Sequence, residues 1–246
     1  MNNINILIPM AGEGSRFKKE GYRDPKPFID VEGKPMIERV MENVNLPNAT
    51  YILIAQKAHI ENYGHILASL RTKYKIKVIL INKLTEGTAC TVLSAFKLIN
   101  NDVPLLIANS DQIVDFKIRD YIEDANKKNV DGSILCFEDK ELNPKWSFAK
   151  INQKGFVTEV KEKEAISNLA TVGIYYFKEG ILFCEAAIEM IVENERINNE
   201  FYTCPTYNYL IKDGKSIITY CISQNSMNGI GTPEDLAIYL NKIRVN

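Results

Sequence analysis

Directly after the apolar run Ile4–Pro9, the chain reads Ala11-Gly12-Glu13-Gly14-Ser15-Arg16-Phe17. Two glycines one residue apart let a backbone turn sharply and bring N–H groups against a phosphate. The arginine that follows carries a planar, permanently charged fork matched to phosphate oxygens. A second cation, Lys26, stands between Pro25 and Pro27, a setting unlike that of an ordinary solvated lysine. Further along, the run Leu105–Asn109 ends in Asn109-Ser110-Asp111. The end of a parallel strand is where open α/β sheets bind ligands. A carboxylate there, beside phosphates, is a natural ligand for Mg2+, which takes one or two carboxylates plus phosphate oxygens and water. Asp111 also has a plainer reading, as the cap of a turn. The chemistry these residue types suit is the handling of polyanions.

Two familiar phosphate loops are excluded by single positions. A dinucleotide fingerprint needs a third glycine where this chain has Phe17, and a Walker loop needs Gly-Lys-Ser/Thr where it has Gly14-Ser15-Arg16.

The elements that must position these residues follow from periodicity. Short β-branched runs at Ile4–Pro9, Tyr51–Ala55, Ile76–Asn82 and Leu105–Asn109 alternate with helix-period segments at Met36–Val44, His59–Lys73 and Ala89–Asn100. Such alternation predicts a parallel, helix-covered sheet. After residue 130 the pattern changes to strands at Gly132–Glu138, Phe148–Asn152 and Phe156–Val160, the last two joined by the turn Asn152–Gly155 as an antiparallel hairpin. A strand at Thr171–Phe177, helices at Gly180–Glu195 and Tyr202–Lys212, and a strand at Ser216–Ile222 follow. Thr232, Pro233, Glu234 and Asp235 mark the start of a last helix. The expected architecture is α/β, a Rossmann-like single domain over residues 1–246 with a mostly parallel mixed sheet and helices on both faces. Residues up to about 130 are read as a nucleotide-binding half and the rest as an acceptor-binding half.

Gly-x-Gly-Ser-Arg followed by Pro25-Lys26-Pro27 resembles the signature of the sugar-phosphate nucleotidyltransferases, the nucleoside-diphosphate-sugar pyrophosphorylases. The resemblance continues in order through Gly87-Thr88-Ala89, Ser110-Asp111, Glu162-Lys163, Gly173-Ile174-Tyr175 and Gly231-Thr232-Pro233-Glu234. It implies the nucleotide-diphospho-sugar transferase fold. The implied reaction transfers a nucleoside monophosphate from a triphosphate to a sugar 1-phosphate or similar phosphorylated polyol. Pyrophosphate is released, and the activated sugar serves capsule, lipopolysaccharide or other surface polysaccharide synthesis. The acceptor phosphate is already ionised at neutral pH, so alignment and charge neutralisation, rather than a general base, would carry catalysis.

By the same resemblance Arg16 binds the triphosphate tail and steadies the leaving pyrophosphate, while Lys26 lies across the α-phosphate. Ala11, Gly12, Glu13, Gly14 and Ser15 cradle the phosphates, with Asn109 and Ser110 beside the Mg2+ ligand Asp111. Gly87 and Thr88 face the base, with Gln56 and Asn82 as further base-pocket candidates. Family members selecting uracil or thymine often carry Gln where Asn82 stands, which leaves the base open. Lys163 holds the acceptor phosphate, Glu162 accepts bonds from acceptor hydroxyls, Asn168 lies on the approach, and Gly173 sits beneath the sugar ring. Lys163 could equally belong to a solvated strip with Lys161 and Glu162. Tyr202, Tyr207 and Asn208 are weaker candidates at the acceptor, and Trp146 either walls it or packs in the core. The family's second metal-binding Asp is replaced here by Gly229, which predicts Mg2+ held by Asp111, phosphate oxygens and water, with Asn228 in an outer-shell contact.

Composition bounds the alternatives. With 246 residues, 30 basic and 31 acidic side chains and a net charge of −1, the chain fits one ordinary domain. Balanced charge argues against a nucleic-acid partner. No apolar run is long enough to span a bilayer, and the start lacks a signal-peptide pattern. The five cysteines form no Cys-x-x-Cys pair, lie in apolar stretches and read as reduced core thiols of a cytoplasmic protein. A homodimer is the remaining expectation for partners. Two other readings stay open: a glycosyltransferase of the related fold, disfavoured by Ser110-Asp111-Gln112 in place of Asp-x-Asp, and a non-catalytic nucleotide-sugar-binding regulator.

Overall fold

The computed structural model describes residues 3–245. The chain opens with β1 (Ile4–Pro9), a short α1 (Ser15–Lys19), α2 (Met36–Asn43), β2 (Ala49–Gln56), α3 (Lys57–Lys73) and β3 (Ile76–Ile81). It continues with α4 (Thr88–Leu93), α5 (Phe96–Ile99), β4 (Leu105–Ala108), β5 (Gln112–Val114), α6 (Ile118–Lys128) and β6 (Gly132–Glu138). Then come β7 (Ser147–Ile151), β8 (Val157–Glu162), β9 (Leu169–Phe177), α7 (Gly180–Val192) and α8 (Thr206–Lys212). The described chain ends with β10 (Ile217–Ile222), β11 (Met227–Gly229) and α9 (Pro233–Val245).

The main sheet runs β10-β6-β9-β4-β1-β2-β3. Pairs β4-β1, β1-β2, β2-β3 and β10-β6 are parallel, and β9 is antiparallel to both β4 and β6. The predicted hairpin is present as β7 and β8, with β7 bridged to β9 at Phe148 and Ala170. Strands read as unbroken apolar runs because both faces are covered. Ile6 and Ile8 of β1 face one core, shared with Val40, Leu70 and Tyr121 from α2, α3 and α6. Leu7 faces the other, shared with Val92, Phe183 and Tyr207 from α4, α7 and α8.

Several expectations change on contact with the structure. The segment Ala89–Asn100 is two helices, α4 and α5, broken at Ser94 and Ala95. The helix expected from Tyr202 begins only at Thr206, because Phe201 and Thr203 are held by hydrogen bonds to Glu86 and Thr88. α1, β5, α6 and β11 escaped the sequence reading: β5 and β11 are three residues each, and pair with one another outside the main sheet. Cys136, Cys184 and Cys204 are buried, but Cys221 is exposed and Cys90 half-buried. Tyr207 is fully buried, donating to the carbonyls of Ser133 and Tyr176, and Asn208 is tied to the Val160 backbone, so both side chains are committed to protein partners. Trp146 packs edge-on against Phe137, 5.4 Å between ring centroids. Thr232 does cap α9, its hydroxyl oxygen accepting from the Asp235 N–H at 3.0 Å. Among the described residues no helix is long and apolar enough to cross a membrane.

Candidate active site

A cavity of about 510 Å³ opens at the C-terminal ends of β1 and β4. Its wall includes Ala11, Gly12, Glu13, Gly14, Ser15, Arg16 and Lys26 from the leading segments, Gly87 and Thr88 from the start of α4, and Asn109, Ser110 and Asp111 after β4. These parts converge because β1 lies between β2 and β4 in parallel register, so the turns after β1 and β4 leave the sheet side by side. Gly14 takes a left-handed conformation (φ 62°) at the start of α1, and a Cβ there would stand 3.0 Å from the Lys26 Cβ. The glycine loop and the Pro-Lys-Pro segment therefore pack directly against each other. Across the cavity the Lys26 ammonium forms an ion pair with the Asp111 carboxylate.

Other residues singled out by the sequence, Gln56, Asn82, Glu162, Lys163, Asn168 and Gly173, lie off the cavity wall. The Gln56 amide donates to the Ala11 carbonyl at 2.7 Å, fixing the entry to the glycine loop. Asn82 is exposed and off the wall, where Leu84 and Thr85 stand instead. Asn168 donates to Glu138 at 2.9 Å. Gly87 is indeed close-packed, but the crowding atom is the Phe201 carbonyl oxygen, 2.3 Å from where a Cβ would be. Gly173 (φ 87°) likewise makes room for a protein group: a Cβ there would lie 2.2 Å from Asn109 Nδ2. The Asn109 N–H donates to the Gly173 carbonyl at 3.0 Å, so β9 holds Asn109 at the cavity edge.

Glu162 and Lys163 sit at the end of β8. The Glu162 carboxyl accepts a hydrogen bond from Ser147, and burial pushes its pKa up despite that bond and the Lys163 charge. Lys163 has a left-handed backbone (φ 58°), and its ammonium donates to the Tyr202 hydroxyl at 2.6 Å. The wall also contains Thr91, Glu200 and Gly231, which the sequence reading did not place there. Gly231 could have been found from its motif: a Cβ on it would stand 2.6 Å from Asp111 Oδ2. Glu200 carries no sequence signal; it arrives only because its segment packs on the Gly87 loop. The cavity thus draws on both halves of the chain.

The carboxylates on the wall are Glu13, Asp111 and Glu200. No group of three or more His, Cys, Asp or Glu side chains suited to a metal forms among the described residues. Gly229 offers no carboxylate, although that of Asp235 lies 3.8 Å from where its Cβ would be. Asn228 is buried and committed to Ile113, Asp115 and Lys242, so the expected outer-shell contact falls away. This donor set fits a hard divalent cation when phosphate oxygens and water complete its shell.

The inserted antiparallel β9, the strand order and the cavity at the sheet edge define an α/β protein of the nucleotide-diphospho-sugar transferase class. The chain belongs to the Nucleotidyl transferase family, whose profile matches residues 6–244. It is 28% identical over 255 residues to the bifunctional protein GlmU of Methanococcus maripaludis strain S2, covering 98% of this chain and 55% of the relative. It is 23% identical over 185 residues to mannose-1-phosphate guanylyltransferase catalytic subunit beta of Drosophila pseudoobscura pseudoobscura, covering 74% of this chain and 50% of the relative. The chain spans about half the length of these curated relatives. The nucleoside-diphosphate-sugar pyrophosphorylase of Vibrio cholerae RC9 superimposes with a TM-score of 0.83 at 26% identity, over 96% of this chain and 99% of that one.

Proposed function

We propose that the chain is a nucleotidyltransferase that moves a nucleoside monophosphate from a nucleoside triphosphate to a sugar 1-phosphate or similar phosphorylated polyol. The observation that carries this reading is the convergence of Arg16, Lys26 and Asp111 on one cavity beside the glycine loop. An acceptor phosphate oxygen attacks the α-phosphorus, the bond from α-phosphorus to bridging oxygen breaks, and pyrophosphate leaves. No proton must be removed from the nucleophile, so the side chains have only to orient and neutralise. Arg16 binds the β- and γ-phosphates with its fork and takes up charge on the leaving group. Lys26 holds the α-phosphate against the incoming oxygen. The 87–88 loop receives the base, and Asn109 and Ser110 line the path between base and phosphates. Lys163 holds the acceptor phosphate, Glu162 the acceptor's hydroxyls.

Asp111 is the residue that would bind Mg2+, which supplies Lewis-acid charge on the phosphates. Residues up to about 130 serve the nucleotide and the remainder mainly the acceptor. The product is an activated sugar for surface polysaccharide synthesis in the cytoplasm.

The test is a matrix of nucleoside triphosphates against glucose 1-phosphate, mannose 1-phosphate and inositol 1-phosphate, read by pyrophosphate release. At least one pair should turn over with Mg2+. Sugar transfer from a nucleotide sugar without pyrophosphate would favour the glycosyltransferase reading. Nucleotide-sugar binding without any turnover would favour a regulator.

A further inference from the structure

One four-residue segment, Glu200–Thr203, connects residues 86–89 of the cavity region with Lys163, the residue read above as the acceptor-phosphate ligand. On the nucleotide side it is stitched to Glu86 and to the first turn of α4. The Phe201 N–H donates to the Glu86 carbonyl at 2.7 Å, the Ala89 N–H donates to the Phe201 carbonyl at 2.9 Å, and the Thr203 N–H donates to Thr88 Oγ1 at 3.1 Å. Tyr202, between these two anchors, turns the other way. Its hydroxyl accepts from Lys163 Nζ at 2.6 Å, and the same ammonium lies 4.6 Å from the centroid of its ring. Lys163 is also fixed at its backbone: it holds a left-handed conformation uncommon for a residue with a side chain, and its N–H donates to the Trp146 carbonyl at 3.0 Å. Strain of this kind persists only where the surroundings impose it, and it gathers at functional sites.

A lysine side chain has many rotamers in solution, and one already held in place loses less freedom when a ligand arrives. We propose that Tyr202 is a positioning residue for Lys163: its hydroxyl and ring hold the ammonium ready for the acceptor's phosphate. This rests on the reading of Lys163 as the acceptor-phosphate ligand. Because Tyr202 lies between the anchors Phe201 and Thr203, the held position is referred to the nucleotide loop. The acceptor phosphate that the lysine holds is thereby aligned with the triphosphate it attacks.

The test uses Tyr202→Phe, Tyr202→Leu, Lys163→Ala and the double variant Lys163→Ala/Tyr202→Phe, with pyrophosphate release followed while each substrate is varied in turn. Tyr202→Leu should raise acceptor KM about tenfold with little change in triphosphate KM or Tm, and Tyr202→Phe, which keeps the ring, should fall between. In the Lys163→Ala background, Tyr202→Phe should add nothing, as expected of two residues acting as one. Additive losses in the double variant would overturn the proposal, as would an equal rise in both KM values with a lowered Tm. If Lys163→Ala itself leaves acceptor KM unchanged, the reading of Lys163 fails and the proposal with it. Should no acceptor turn over, NMR of the protein reductively methylated with 13C decides the positioning alone. The Lys163 dimethylammonium signal, identified by its loss in Lys163→Arg, should be shifted by the Tyr202 ring and return to the bulk lysine position in Tyr202→Leu. An unshifted signal in the wild type would overturn the proposal independently of turnover.

Discussion

Lys26 and Asp111 stand 85 positions apart and meet as an ion pair on the cavity wall, their side chains only 18% and 24% exposed. One comes from a proline-bounded turn and the other from the segment after β4, so the pair joins two segments far apart in the chain. An ammonium on Asp111 competes with any divalent cation for the same carboxylate. Mg2+ should therefore bind weakly to the free protein and much more tightly with triphosphate present, which brings phosphate oxygens to the metal and to Lys26. Calorimetric titration with and without nucleotide checks this, and Lys26→Met should tighten Mg2+ binding to the free protein. Tight binding to the unliganded wild type, or full activity in Asp111→Ala, contradicts it.

Arg16→Ala and Lys26→Ala should each lower kcat by on the order of a hundredfold or more, the usual loss when a charge contact to the transition state is removed. Circular dichroism and Tm should stay near wild type for Arg16→Ala, since Arg16 is an exposed residue of the cavity wall. Unchanged turnover in that variant would remove the phosphate role of the glycine loop.

Gly173→Ala should lower Tm by about 5 °C, since a side chain must adopt φ 87° and its Cβ would strike Asn109. Asn109→Ala in the same chain should recover part of that loss by vacating the space, without restoring nucleotide affinity. A Gly173→Ala protein as stable as wild type would refute the packing argument.

Glu162 gives a pH dependence of definite sign. Its pKa is raised by burial above the ordinary 4.5, so the folded chain binds its proton more tightly than the unfolded one. Stability from this group is complete below pH 4.5 and declines as pH rises through the raised value. Glu162→Gln should flatten that decline and be relatively more stable near neutrality, as urea unfolding at several pH values would show. A steeper decline in the variant would contradict the burial.

The groups proposed to handle phosphate were legible in the chain because their signal is local. Glycine spacing, an arginine two places on and a lysine between prolines each act through backbone freedom and charge within a few residues. The sheet was legible for a related reason: strands covered on both faces become uninterrupted apolar runs, and the period changes where the hairpin of β7 and β8 begins. Short pieces such as β5 and β11 were not, since three residues carry no period and are held by each other rather than by their own sequence.

Other features depend on packing between distant segments, and only the tertiary structure decided them. Nothing near Gly87 in the chain says that Phe201 will fill the space beside it, and nothing near Gly173 says that Asn109 will. Glu200 reaches the cavity and Tyr202 reaches Lys163 because backbone bonds hold residues 201 and 203 against the loop before α4, so the helix expected from Tyr202 begins later. Asn228 looked available as a ligand but is buried among Asp115, Ile113 and Lys242. Residue type and spacing determined which groups could handle phosphate; the closeness of segments far apart in the chain determined which of them face the same cavity.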